Sequence, residues 1–102
     1  MGKLKVHNLK IKPEYFKDVI SGRKNFEVRF NDRNFKEGDI IVLEEFDNKG
    51  YTGKYINCEI TYVLSDAEYT KENYVVLGIK LRLDRGGCYL SKIKRYSSVL
   101  YI

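Results

Sequence analysis

The chain has 102 residues, of which 43% are apolar and 32% charged, the size and balance of one globular domain with a single core and not of a disordered segment. No apolar run approaches the length that spans a bilayer, and the Lys-rich start lacks the apolar block and small-residue cleavage site of a secretory signal, so a cytoplasmic protein without a membrane partner is expected. The net charge of +5 is unevenly spread: residues 1–38 carry ten Lys and Arg against five acids, residues 39–79 three against eight, and residues 80–102 six against one, a distribution that gives a nucleic-acid binder's electrostatic footprint if the fold brings the two basic ends together.

Leu4, Val6, Leu9 and Ile11 read as an entry strand whose alternation shifts near Asn8. Pro13 suits a first helical turn, Phe16, Val19 and Ile20 recur at helical spacing, and Gly22 supplies the left-handed residue that closes a helix. The next run alternates, with Phe26, Val28 and Phe30 on one face and Asn25, Glu27 and Arg29 on the other, the period of a half-buried strand. Phe26 and Val28 are therefore expected in the core together with Ile41, Leu43, Ile60, Leu77 and Ile79. Asn31 to Asp39 is a polar turn, and Ile40 to Phe46 an apolar strand. Asp47-Asn48-Lys49-Gly50 is a hairpin turn that sends Tyr51 to Leu64 back antiparallel. Ser65 to Asn73 is a short polar connection with room for one turn of helix. Tyr74 to Leu83 is the last clear strand, with Val75, Leu77, Ile79 and Leu81 on one face and Gly78 placed for a bulge or a close approach on the other.

Five short strands and one early helix, without a βαβ rhythm, predict a mainly β fold, a small mixed barrel with one or two short helices. Asp84-Arg85-Gly86-Gly87 reads as a joint before a basic extension, so residues 1–82 form the domain and residues 83–102 an appendage expected to pack on it. Within that appendage Leu90, Ile93, Ser97 and Leu100 fit a weak helical stripe, and Val99 to Ile102 fit an added strand equally well. Cys58 and Cys88 have no neighbouring thiol or histidine, so reduced thiols are expected and neither a disulfide scaffold nor a metal site is indicated. No cofactor motif is present.

The segment from Gly22 to Asp39 holds the candidate site. Lys24 stands at the helix-strand junction, and alternation puts Glu27 and Arg29 on one face. An arginine there can grip a phosphate or a base edge through two parallel hydrogen bonds, and a lysine beside a carboxylate can polarise a substrate. Arg23, Arg33, Asn31 and Asp32 extend the polar surface, and Lys10 on the first strand is a further polyanion contact. His7, the lone histidine, is more simply a packing residue than a general base.

Gly22-x-Lys24-x-x-Glu27-x-Arg29, preceded by a Pro-initiated helix and followed by Phe35-Lys36-x-Gly38-Asp39, resembles the signature of the ASCH domain of the PUA-like superfamily. A bacterial and phage ASCH-related family of unknown function is the nearer likeness. Its pattern is matched in order by His7-x-Leu9-Lys10, Pro13-x-Tyr15-Phe16, Asn31-Asp32-Arg33-x-Phe35, Tyr51-Thr52-Gly53 and Tyr74 to Ile79. The resemblance covers roughly residues 4 to 82 and implies a PUA-like barrel that binds RNA or a nucleotide-like ligand, with Lys24, Arg29 and Arg33 on phosphate or base and Glu27 either reading a donor edge of a base or orienting Lys24. Some small ASCH proteins are similar to amidohydrolases that deacylate N4-acetylcytidine, which implies the alternative that Lys24 and Glu27 are catalytic. In those enzymes a threonine stands where this chain has Glu27, and the acid sits on an insertion for which Ser65 to Asn73 leaves little room.

Overall fold

The computed structural model describes residues 4–66 and 68–82. Its elements follow one another as β1 (Val6–Ile11), α1 (Pro13–Ile20), β2 (Phe26–Phe30), β3 (Ile40–Asp47), β4 (Gly50–Leu64) and β5 (Tyr74–Leu81). The strands form one curled half-barrel sheet in the order β1-β3-β4-β5-β2. β1 runs parallel to β3, and the other neighbours are antiparallel. Chain order and sheet order therefore diverge: β2, second in sequence, lies at the edge opposite β1. The basic extension expected over residues 83–102, with its joint at Asp84 to Gly87 and its helical stripe or added strand, lies outside the described residues, as does Cys88.

Local chemistry explains most of these elements. Pro13 opens α1 at its first turn with Glu14 beside it, and Gly22 at φ +85° ends it, while the Gly22 N–H donates to Val19 O at 3.1 Å. A carboxylate early in a helix and a left-handed glycine after its end both match the unsatisfied groups of the helix termini. Asp47 pairs with Gly50 across the expected hairpin. Gly78 lies beside a register shift between Ile60 and Tyr62 of β4, where an added Cβ would stand 2.9 Å from Thr61 Oγ1. The extra residue of the bulge occupies the space a side chain at 78 would need.

Leu9, Ile11, Ile41, Leu43, Ile56, Cys58, Ile60, Val75, Leu77 and Ile79 line the concave face of the sheet, and α1 closes it with Phe16 and Val19. Two expectations for this core are corrected. Phe26 and Val28 are 43% and 54% exposed, whereas Glu27, between them, is 4% exposed. The alternation of β2 is real, but its polar face points inward. Register fixes this, since Glu27 lies opposite Leu77 and Arg29 opposite Val75, both core residues of β5. The second correction concerns β1, whose alternation runs without a break: His7, Leu9 and Ile11 point in, and Val6 points out.

His7 can enter the core because a partner waits there. Its Nε2 is 2.9 Å from Asp39 Oδ2, and its ring packs on Phe35 at 4.8 Å between centroids. Asp39 also accepts hydrogen bonds from the backbone N–H groups of Lys5 and Lys36. Burial pushes the Asp39 carboxyl up, but the hydrogen bonds from His7, Lys5 and Lys36 and the charge of His7 together hold it below its ordinary value of 3.8.

Truncation of Leu77 or Ile41 to Ala should lower unfolding free energy in urea by about 2–5 kcal/mol, because both are fully buried. For Asp39 the lowered carboxyl value means that the ionised form favours the folded state. That stabilisation is complete above the ordinary value of 3.8 and is lost as pH falls through the lower folded value. The stability difference between wild type and Asp39→Asn, measured by urea unfolding from neutral pH down to roughly pH 2, should shrink over that acid range.

Candidate functional site

The end of α1 and the start of β2 place three charged side chains around one point. The Lys24 backbone N–H donates to Asp18 O at 3.0 Å, which ties the residue to the last turn of the helix. Its ammonium donates to Phe26 O at 2.7 Å and to Glu27 Oε2 at 2.6 Å. Arg29 Nε donates to the other carboxylate oxygen, Oε1, at 3.0 Å, and Nη2 of the same arginine lies 2.9 Å from it. Both oxygens of a buried carboxylate are thus engaged by cations. Hydrogen bonds between ionised groups are stronger than neutral ones, and here each also fixes the direction of a cationic head.

Arg29 reaches further. Its Nη2 donates to Lys10 O on β1 at 2.5 Å, and Arg33 Nη1 donates to Asn8 O at 2.8 Å. Residues 8 and 10 lie on the free edge of β1, and β2 is the opposite edge of the sheet. The two guanidinium groups therefore span the open side of the half-barrel, taking carbonyls that a neighbouring strand would otherwise bond.

Lys10, Ile11, Lys12, Tyr15, Lys24, Phe26, Glu27, Val28 and Arg29 surround a groove of about 500 Å³ at this seam, a volume typical of small-ligand sites. Four of these lining residues are basic and one is acidic. Tyr15 is 44% exposed, and the Lys24 ammonium lies 5.6 Å from the Tyr15 ring centroid and 4.8 Å from that of Phe26. Lys10 stands over Phe46 at 4.3 Å, a cation on an aromatic face.

Of the residues expected from sequence, Lys10, Lys24, Glu27 and Arg29 come together at the groove. Arg33 closes the seam next to it and lies 3.6 Å from Asp32. Arg23 is exposed, 4.0 Å from Asp18, and does not line the groove. Asn31 donates its N–H to Asn73 O at 2.8 Å, and Asp32 is exposed in the turn that follows β2. Lys12, Tyr15 and Phe26 line the groove and were missed as site residues. Tyr15 was legible as a half-exposed position on an amphipathic helix. Phe26 was hidden by its strand alternation, which reads as core. Among the described residues no cluster of His, Cys, Asp and Glu could hold a metal, and no helix is long and apolar enough to cross a membrane.

Removing the Glu27 charge leaves two partly buried cations facing one another. Glu27→Gln should therefore destabilise the fold by about 1–3 kcal/mol in urea unfolding. Arg29→Lys keeps the charge but cannot hold Glu27 and the Lys10 carbonyl at once, and should destabilise in the same direction.

Comparison with known proteins gives a family match, a phage relative and a neighbour in fold. Residues 6–79 match the family described as "Domain of unknown function (DUF3850)". An uncharacterized 12.9 kDa protein in the GpA 3' region of Escherichia phage P2 is similar at 27% identity over 106 residues, covering 96% of this chain and 96% of its own. The crystal structure of hypothetical protein PH0355 resembles the fold with a TM-score of 0.54 at 16% identity, covering 76% of this chain and 99% of that one; at that identity the likeness is one of fold alone. Because the family match spans well over half of the 102 residues, the chain belongs to the DUF3850 family.

Proposed function

We propose that the protein binds RNA, or a nucleotide-like ligand, in the groove between β1 and β2. The observation that carries this reading is the Glu27 clamp. By engaging Lys24 and Arg29 through separate oxygens it holds two cationic heads at fixed positions on a groove wall. Cations held by the fold before a ligand arrives lose less freedom on binding than free surface lysines do. The Arg29 guanidinium has five N–H donors, and those not used on Glu27 and Lys10 remain for a phosphate or a base edge. Lys10 and Lys12 add charge, and the rings of Tyr15 and Phe26 offer faces on which a base can stack. The resemblance of Gly22 to Asp39 to the ASCH signature of the PUA-like superfamily supports the same ligand class.

Deacylation of a nucleoside such as N4-acetylcytidine is the second reading. In its favour, the Lys24 ammonium lies 2.6 Å from the Glu27 carboxylate inside the groove. Against it, position 27 lacks the hydroxyl nucleophile of the ASCH amidohydrolases. Glu27 is also bracketed by Lys24 and Arg29 and buried beneath them, so it has no open edge on which to receive a water.

Lys10→Ala is the cleanest test, because it removes a cation that borders the groove from β1 and leaves the Glu27 cluster and the Lys10 carbonyl in place. Fluorescence anisotropy with short single-stranded RNA should show weaker binding and a shallower salt dependence, by about 0.7 in logarithmic slope for one lost phosphate contact. Glu27→Gln should also loosen binding although it adds positive charge, since the two cations lose their anchor. Wild-type curves that do not respond to salt, or identical curves for all variants, would remove the groove from consideration. N4-acetylcytidine incubated with micromolar protein should release no acetate; release abolished by Lys24→Ala would reverse the order of the two readings.

A further inference from the structure

Hydrogen-bond parity leaves one main-chain pair on the groove wall unused. In an antiparallel ladder, directly opposed residues exchange both backbone bonds at every second position. The Ile79 N–H donates to Asn25 O at 3.0 Å and the Asn31 N–H to Asn73 O at 2.8 Å, and both pairs fall on the register of β2 with β5. The bonded positions are therefore Asn25, Glu27, Arg29 and Asn31, and the N–H and C=O groups of Phe26, Val28 and Phe30 point to the free edge of β2. The Lys24 ammonium agrees, since it reaches Phe26 O at 2.7 Å from that side. Phe30 O accepts the N–H of Asp32 at 2.9 Å. Between them, the N–H and C=O of Val28 have no partner among the described residues. Phe26, Glu27, Val28 and Arg29 all line the groove, although their side chains alternate between the two faces of the strand, so the groove lies against this edge.

We infer that the main chain of Val28 reads the Watson–Crick edge of an unpaired nucleobase, so that the groove takes single-stranded RNA and rejects a base whose edge is blocked; this rests on the binding reading above. Every nucleobase carries a donor beside an acceptor on that edge, such as N3–H and O4 in uracil or N6–H and N1 in adenine. The N–H and C=O of one strand residue, on the same side of the chain, offer the complement. The surroundings suit the same ligand. Tyr15 and Phe26 are 44% and 43% exposed and offer ring faces for stacking, and Lys24 and Arg29 bring positive charge for the phosphate. An extended peptide, the other partner that a strand edge can take, needs open groups at every second residue. Here that row is broken, because Lys24 holds the carbonyl before Val28 and Asp32 the one after it. Across the seam, the carbonyls of Asn8 and Lys10 are held by Arg33 and Arg29. One open pair between two closed carbonyls fits the edge of a flat ring and not an added strand.

The test compares a fluorescent oligouridine with an oligo(3-methyluridine) of the same length, in which a methyl group on N3 removes the donor and blocks the edge while the phosphates and ring stay in place. Wild type should bind the methylated strand about tenfold more weakly, with the same salt slope because the phosphate contacts are unchanged. Val28→Ala keeps the main chain and should keep this discrimination. Val28→Pro removes the N–H at a position outside the ladder, where an edge strand tolerates proline, and should weaken oligouridine binding about tenfold relative to Val28→Ala. Amide exchange in the wild-type chain checks the premise without a substitution. The Val28 N–H should exchange quickly and those of Glu27 and Arg29 slowly, and added oligouridine should protect Val28. Equal affinity for the two strands, with the salt dependence intact, would overturn the base contact and leave the groove as a phosphate site. Binding of neither strand in a salt-dependent way would remove the groove and this inference together. Displacement of oligouridine by an acidic peptide, but not by uridine monophosphate, would give the edge to a peptide strand and also overturn it.

Discussion

The carboxylate of Glu27 occupies a position where a barrel core would ordinarily carry a leucine or valine. Its neighbours across the ladder, Leu77 and its flanking residues, are fully apolar, so an unpaired charge there would cost several kcal/mol in desolvation. Two cations from opposite directions remove that cost, one delivered by the helix terminus and one by its own strand. The inward face of β2, the placement of Lys24, the reach of Arg29 across the seam and the polar floor of the groove all depend on that neutralisation. A valine at this position would suit the core as well, and the groove would lose the element that organises it.

A similar arrangement recurs elsewhere in the barrel. His7 enters the interior from β1 and meets Asp39, which in turn collects the N–H groups of Lys5 and Lys36. Each edge strand of the sheet therefore carries an inward polar side chain held by an ionisable partner, while the three inner strands supply most of the apolar core. Such residues are not confined to the edges: Glu45 on the inner strand β3 is buried as well, and its Oε1 accepts a hydrogen bond from Thr52 Oγ1 at 2.8 Å, so in each case it is the polar partner that admits the side chain.

Much of the fold could be read from local chemistry. The Pro13 and Gly22 boundaries of α1, the Asn48-Lys49 hairpin and the apolar faces of β3 and β5 follow from rules that act over a few residues. β2 could not be assigned in the same way, because periodicity reports that two faces differ and not which one meets the core. In most strands the apolar face wins, but here the cross-strand partner and the two cations reverse the outcome. For the same reason Lys24, Glu27 and Arg29 could be grouped correctly from alternation while their setting, inside the sheet instead of on its surface, could not. Lys12 and Tyr15 join the groove through long-range packing of α1 beside the seam, which no short motif encodes.

The guanidinium groups of Arg29 and Arg33 on the carbonyls of Lys10 and Asn8 also bear on solubility. A half-barrel leaves two strands with unpaired backbone, and such edges recruit strands from other molecules. Side chains reaching over from the far edge cap those carbonyls with groups that carry charge, so an approaching strand would have to displace an ionic hydrogen bond and then lie against positive charge. The cap is reversible in a way that a sixth strand would not be. Loss of Arg33, which has no part in neutralising Glu27, would therefore be felt first as a tendency of concentrated protein to form ordered aggregates through β1, before any loss of the fold itself.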